Sequence, residues 1–257
     1  MSIWTMLHAL STVVLHHGLW VRPGPVSTQY WHGIDQALAA QGYDVLVTEV
    51  HRSAGVATRA AQLRQQIVRH LNRFDREHEK VAIIAHGVGG LDARFAVSRL
   101  GLGERVSALC TVGTPHRGTA FADWGVKQFG RLVAPFFHLL GVSYDAFLDL
   151  TTAACKRFNE TVPDAPGVRY LAVAGVCETQ LMGPEWWLPH AIVNRAEGPN
   201  DGVVSVASAR WGEHTDVWAG DHLNLINWPN RFARRRGLWA SLAPDYGRIV
   251  RRIAEAG

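Results

Sequence analysis

The sequence lacks the marks of a membrane span, a disulfide scaffold and a nucleic-acid binder. No stretch of its 257 residues reaches the roughly 18 consecutive apolar residues of a transmembrane helix. The N-terminal MSIWTMLHALSTVVL has no basic n-region and runs straight into a strand-like stretch, so no secretory signal is expected and a cytoplasmic location is. There are only three cysteines, Cys110, Cys155 and Cys177, an odd number without metal-ligand spacing. Cys110 and Cys177 sit in the apolar runs ALCTV and LAVAGVC and read as core thiols, which fits a reducing compartment. The net charge of +4 and pI of about 9.2 would suggest nucleic acid only if the basic residues were clustered among stacking aromatics. They are mostly scattered. The densest group, Arg231, Arg234, Arg235 and Arg236 with Arg251 and Arg252 further on, reads as a solvated helix face, so no nucleic-acid partner is expected.

What the chain does have is alternation. With 47% hydrophobic and 19% charged residues it has the composition of a soluble domain. Short apolar runs (STVVLHHG, YDVLVTEV, KVAIIAH, VSALCTVG, GVRYLAVAGV) alternate with helical patterns, the signature of an α/β fold with a mostly parallel central sheet and helices on both faces. STQYWHGIDQALAAQGY reads as a helix stopped at Gly42. From Val56 to Phe74 the positions Ala60, Leu63, Ile67, Val68 and Leu71 mark one face of an amphipathic helix, with Arg and Gln opposite. GPEWWLPH reads as a loop, VVSVASA as an apolar run after a turn, and DHLNLIN as a polar loop entering a helix-like stretch. Without repeats, low-complexity segments or linkers, residues 1–257 are expected to form one domain. The aromatic and Leu-rich region at about 121–160 is expected to be a helical cap inserted in it.

One stretch carries the chemistry: VAIIAHGVGGLDARF, Val81 to Phe95. A strand, a glycine-rich corner and a helix follow one another as at a nucleophile elbow, where residues two places either side of the attacking group must be small. Ala85 and Gly89 are small, but the central residue is Gly87. The residue after the nucleophile, Val88, would offer its backbone N–H to an oxyanion. A second such donor is Leu19, after the tight turn that Gly18 allows in HHGLW. An acid and then a histidine should follow. Asp201 in GPNDGVV and His222 in AGDHLNLIN stand in that order.

Taken together, VVLHHGL, AHGVGGLDARF, TVGTPHRGTAFAD, LTTAACKRFNETVPDAPGVRYLAVAG, NDGVVSVASA and DHLNLIN resemble, from about Val13 to Trp228, the bacterial triacylglycerol lipases of the α/β-hydrolase superfamily. The resemblance implies a carboxylic-ester hydrolase, lipase or esterase, working through an acyl-enzyme without a cofactor. Its nucleophile falls at Gly87, its acid and base at Asp201 and His222, and its oxyanion donors at Leu19 and Val88. It also implies an acyl ester or lipid substrate, with transient contact to a lipid interface through the cap. Trp124, Phe129, Phe136, Phe137, Leu139 and Leu140, with Trp186 and Trp187, are the candidates for lining an acyl pocket. Many of these lipases hold a structural calcium beside the histidine loop through an aspartate two residues after the histidine. Here that position is Asn224, which brings no charge, so no metal is expected.

The missing serine is the departure that matters. No other G-x-S-x-G occurs, and Ser98 lies about three helical turns beyond the corner. The expected state is an ester-hydrolase scaffold with its attacking group removed, inactive or strongly impaired. A water beside His222 offers a residual route. The alternative is a natural pseudoenzyme that binds a lipid, an ester or a partner.

Overall fold

The computed structural model describes residues 12–19, 30–52, 54–130, 147–229, 234–237 and 240–255, without the side chains of Phe129 and Gln180. In chain order the elements are β1 (Thr12–His16), α1 (Ile34–Ala39), β2 (Asp44–Val47), α2 (Val56–Arg73), β3 (Val81–His86), α3 (Gly89–Arg99), β4 (Val106–Val112), α4 (Ala120–Phe129), α5 (Thr152–Thr161), β5 (Arg169–Val176), α6 (Trp187–Glu197), α7 (Val206–Ala209), β6 (His214–Ala219) and α8 (Ala243–Glu255). The strands form one sheet in the order β2-β1-β3-β4-β5-β6, every neighbouring pair parallel.

Alternate strand residues face opposite helix layers. On one side Val13, Leu15, Ala82, Ile84, Cys110 and Val173 pack with residues of α1 and α8. On the other, Val14, Ile83, Ala85 and Leu109 pack with Leu63, Ile67 and Leu71 of α2 and Ala93, Ala96 and Val97 of α3. Burial on both faces explains why β1, β3 and β4 read as unbroken apolar runs.

The strand order reverses at β1: the chain goes first to β2 on one side and then to β3 on the other. In such sheets the carboxyl ends of the two strands flanking the reversal open a crevice. His16 at the end of β1 is in register with Ala85 near the end of β3. The loop His17–Leu19 and the corner at Gly87 therefore leave the sheet side by side.

Some elements differ from the sequence reading. Of the helix expected over 27–43, residues 27–29 lie outside the described residues; the described part is a turn at 30–33 and the helix Ile34–Ala39, and Gly33 before it has φ +82°. GPEWWLPH is a 3₁₀ turn (Pro184–Trp186) followed by α6, not a loop. Pro189 lies in the first turn of that helix, where no backbone donor is needed. The apolar VVSVASA is a turn and the short α7, and the next strand is HTDVWA, at the sheet edge and only half buried. Of the region expected to be a cap, residues 131–146 lie outside the described residues, while α4 and α5 flank them.

Candidate active site

Gly87 joins β3 to α3 with φ +56°. Its N–H donates to the Val112 carbonyl at 2.9 Å, and its own carbonyl accepts from Gly90 N at 3.1 Å. A side chain in this left-handed region carries roughly 1–3 kcal/mol of strain, which glycine escapes. At Gly89 the constraint is steric: a Cβ there would lie 2.7 Å from the His17 carbonyl oxygen of the β1 loop.

A Cβ at position 87 would stand 3.3 Å from His222 Nε2 and 3.9 Å from Gly18 Cα. The His222 ring is fixed from behind, because its Nδ1 donates to Asp201 Oδ2 at 2.7 Å. Asp201 is fully buried while the His222 side chain is 17% exposed. The other Asp201 oxygen accepts from the amides of Val203 (3.1 Å) and Val204 (2.9 Å), and the Asp201 carbonyl accepts from His222 N at 2.8 Å. Both carboxylate oxygens are thus committed. With Nδ1 bound to Asp201, Nε2 is the ring nitrogen left facing position 87. The structure brings Gly87, Val88, Leu19, Asp201 and His222 to one end of the sheet, although 21 residues separate the acid from the histidine.

Two buried networks hold this end together, and neither was visible in the sequence pattern. In the first, Gly18 N donates to the Tyr30 hydroxyl (2.9 Å), Tyr30 donates to His86 Nδ1 (2.7 Å), and His86 Nε2 donates to the His222 carbonyl (3.1 Å). The chain of donors requires a neutral His86, and burial, with His222 close by, holds its pKa well below the ordinary value. Burial likewise raises the Tyr30 hydroxyl, which stays protonated and able to donate. In the second, Arg59, fully buried on α2, donates from Nε to Asp92 Oδ2 (2.7 Å) and from its terminal nitrogens to the carbonyls of His51 (2.6 Å), His17 (2.6 Å) and Gly18 (3.2 Å). Pulling the His17 and Gly18 carbonyls toward the guanidinium fixes the orientation of the peptide units leading to Leu19. His16 joins the same carboxylate from Nε2 at 3.1 Å. His17, caught between the Gly18 carbonyl and Val50 N, is pushed down to about 2 by burial, then by Arg59 and His16.

No family model matches the chain. It is 33% identical over 217 residues to triacylglycerol lipase 2 of Saccharomyces cerevisiae, covering 79% of this chain and 64% of that protein. It is 28% identical over 272 residues to a triacylglycerol lipase of Vibrio cholerae, covering 88% of this chain and 86% of the relative. A lipase of Bacillus licheniformis in its mature form has the same fold, with a TM-score of 0.70 and 24% identity over 85% of this chain and 87% of that one. The chain is similar in sequence to triacylglycerol lipases and shares the α/β-hydrolase fold of solved lipases, and it spans 64% of the length of the yeast relative.

In this lipase-like chain the candidate wall residues separate. Trp186 reaches the site, its ring centroid 6.3 Å from that of His222. Trp187, paired with it in the sequence reading, is 53% exposed on α6. Trp124 stacks on Phe121 of its own helix, and Phe121 is edge-on to Phe147. Phe136, Phe137, Leu139 and Leu140 lie outside the described residues, as does the Phe129 side chain.

The donor set near the histidine loop does not fit the calcium the resemblance suggests. Asn224 Oδ1 accepts from Asp221 N (3.0 Å), and its Nδ2 donates to the Trp228 carbonyl (2.8 Å). Asp221 Oδ1 accepts the amides of Leu223 and Asn224. The amide oxygen is spent on a turn, and among the described residues no group of three or more His, Cys, Asp or Glu side chains is placed to hold a metal.

Proposed function

We propose that this site performs acyl transfer on carboxylic esters, as a lipase or esterase does, once residue 87 carries a hydroxyl, and that with Gly87 the chain is strongly impaired. The observation that carries the reading is the 3.3 Å between His222 Nε2 and the position of a Cβ at residue 87. A serine hydroxyl built there lies within reach of the base. In the reaction this implies, the hydroxyl attacks the ester carbonyl while His222 takes its proton. Asp201 stabilises the resulting imidazolium, and the Val88 and Leu19 N–H groups receive the oxyanion. His222 then returns the proton to the leaving alcohol, and a water repeats the sequence in reverse to free the acid. Removing the serine from a protease triad costs about 10⁶ in kcat, roughly 8 kcal/mol, and a comparable deficit is expected here.

The substrate class proposed is an acyl ester or lipid, met through the region about residues 121–160 acting as a cap. No described helix is long and apolar enough to cross a membrane. A second reading, that the chain is a natural pseudoenzyme used for binding, is favoured by the relaxed positive φ of Gly87. The test is turnover of p-nitrophenyl butyrate by Gly87→Ser. Rapid hydrolysis supports the acyl-transfer reading, whereas a folded Gly87→Ser protein without turnover favours binding alone.

A further inference from the structure

We propose that Thr119, the residue from which α4 starts, is a positioning residue for Asp201 and acts on it through the Val203–Val204 peptide. The inference rests on the reading of the site given above and adds to it a residue outside the acid–base pair. Asp201 Oδ2 is taken up by His222 Nδ1 at 2.7 Å, so the bonds to Oδ1 set how the carboxylate is turned. That oxygen accepts from Val203 N (3.1 Å) and Val204 N (2.9 Å). The Val204 N–H and the Val203 carbonyl belong to one planar peptide unit, so whatever holds the carbonyl also aims the N–H. Thr119 Oγ1 holds it, donating at 2.5 Å. The direction is fixed, because a carbonyl oxygen only accepts, and the same hydroxyl accepts from Phe121 N at 3.2 Å as the N-cap of α4.

A hydroxyl, a peptide and a carboxylate thus run in series from the start of α4 to His222, and bonds in such a chain polarise one another. Thr119 and Asp201 are both buried, which keeps water from competing for the link. Neighbouring bonds hold the two segments together. Glu197, at the end of α6, accepts from Ala120 N through one oxygen and from Ser205 Oγ through the other, both at 2.5 Å. Ser208 Oγ donates to the Gly118 carbonyl (2.6 Å) and accepts from Arg117 N (3.1 Å). Thr119 N donates to the Leu150 carbonyl at 3.0 Å, so both ends of the excursion 120–150 meet at the residue that aims the Val204 amide. The stretch GTPHRGTA, which supplies neither acid nor base, serves as the seat of the acid.

The test compares Thr119→Val, which replaces the hydroxyl by a methyl group, with Thr119→Ser, which keeps it, each checked for folding by circular dichroism. In the Gly87→Ser background Thr119→Val should lower kcat for p-nitrophenyl butyrate roughly three- to tenfold at unchanged KM, the effect of one hydrogen bond, and Thr119→Ser should restore it. The Gly87 protein itself gives a readout that needs no turnover: the NMR shift of His222 Nδ1, which reports the bond to Asp201. Thr119→Val should move that shift and Thr119→Ser should leave it in place. An unmoved Nδ1 shift in folded Thr119→Val overturns the proposal, as does an unchanged kcat where Gly87→Ser turns over, or an equal loss in Thr119→Ser. Should Thr119→Val not fold, Glu197→Ala frees Ala120 N and Ser205 Oγ on either side of the link; it too should move the Nδ1 shift, and an unmoved shift overturns the proposal. A folded Gly87→Ser protein without turnover removes the reading beneath, while the Nδ1 shift still decides whether Thr119 positions Asp201.

Discussion

Gly87 changes two quantities in opposite directions. At φ +56°, Gly87→Ser should lower stability by about 1–3 kcal/mol, read as a fall in the denaturant midpoint at unchanged slope, while raising ester turnover by several orders of magnitude. A second residue-scale expectation concerns Tyr30, whose hydroxyl links the Gly18 amide to His86 and through it to the His222 backbone. In the Gly87→Ser background, Tyr30→Phe should reduce kcat roughly tenfold with little change in KM, because it removes two hydrogen bonds of about 1 kcal/mol each, only part of which bears on how the base and the oxyanion loop are positioned together. An unchanged kcat in a folded variant would show that the link is structural only. The corner, Asp201 and His222 were legible from local sequence, since each has its own small motif. Tyr30, His86, Arg59 and Asp92 were not, because their partners lie 8 to 136 residues away and nothing local marks them. The helical pattern sets the arginines of α2 opposite its apolar face, yet the approach of α2 to α3 and the β1 loop buries Arg59 and gives it acceptors in Asp92 and in the carbonyls of His51, His17 and Gly18.

Among the elements, the buried strands and α2 were readable because burial on both sheet faces or on one helix face leaves a strong pattern. Leu63 and Ile67 in α2 are fully buried, and Leu63→Ala should cost about 2–5 kcal/mol, measured by urea unfolding. Polar residues on the same helix are more than surface. Arg59→Met should destabilise by about 3 kcal/mol or more, since it strands the buried Asp92 carboxylate without its guanidinium, and it should also slow Gly87→Ser turnover by freeing the loop that carries Leu19. The elements that went unread fail for identifiable reasons. In β6 only edge burial is available, so HTDVWA shows no apolar run. α6 begins with a proline in its first turn, which mimics a loop signal. VVSVASA has the residues of a strand, yet the Asp201 side chain captures the Val203 and Val204 amides and bends the chain into a turn first.

For the whole molecule, the buried histidines set the acid limit. His16, His17, His86 and His116 all have pKa values lowered from 6.5, chiefly by burial. Below about pH 6.5 the unfolded chain therefore takes up protons that the folded chain refuses. Stability should be full above that pH and fall as pH drops toward the folded-state values, by about 1.4 kcal/mol per pH unit for each histidine still neutral. Equilibrium unfolding followed from pH 7 to pH 4 checks this, and a flat profile would mean that these rings already carry protons in the folded state. The central claim, that residue 87 marks the attacking position of an otherwise assembled acyl-transfer site, has a more direct test. Gly87→Ser is treated with an alkyl organophosphonate fluoride and its peptides are mapped by mass spectrometry, with Gly87→Ser/His222→Ala as the control. The account predicts one stoichiometric phosphonyl adduct on residue 87, formed far more slowly in the control. A folded Gly87→Ser protein that remains unlabelled, or is labelled at the same rate without His222, would contradict it.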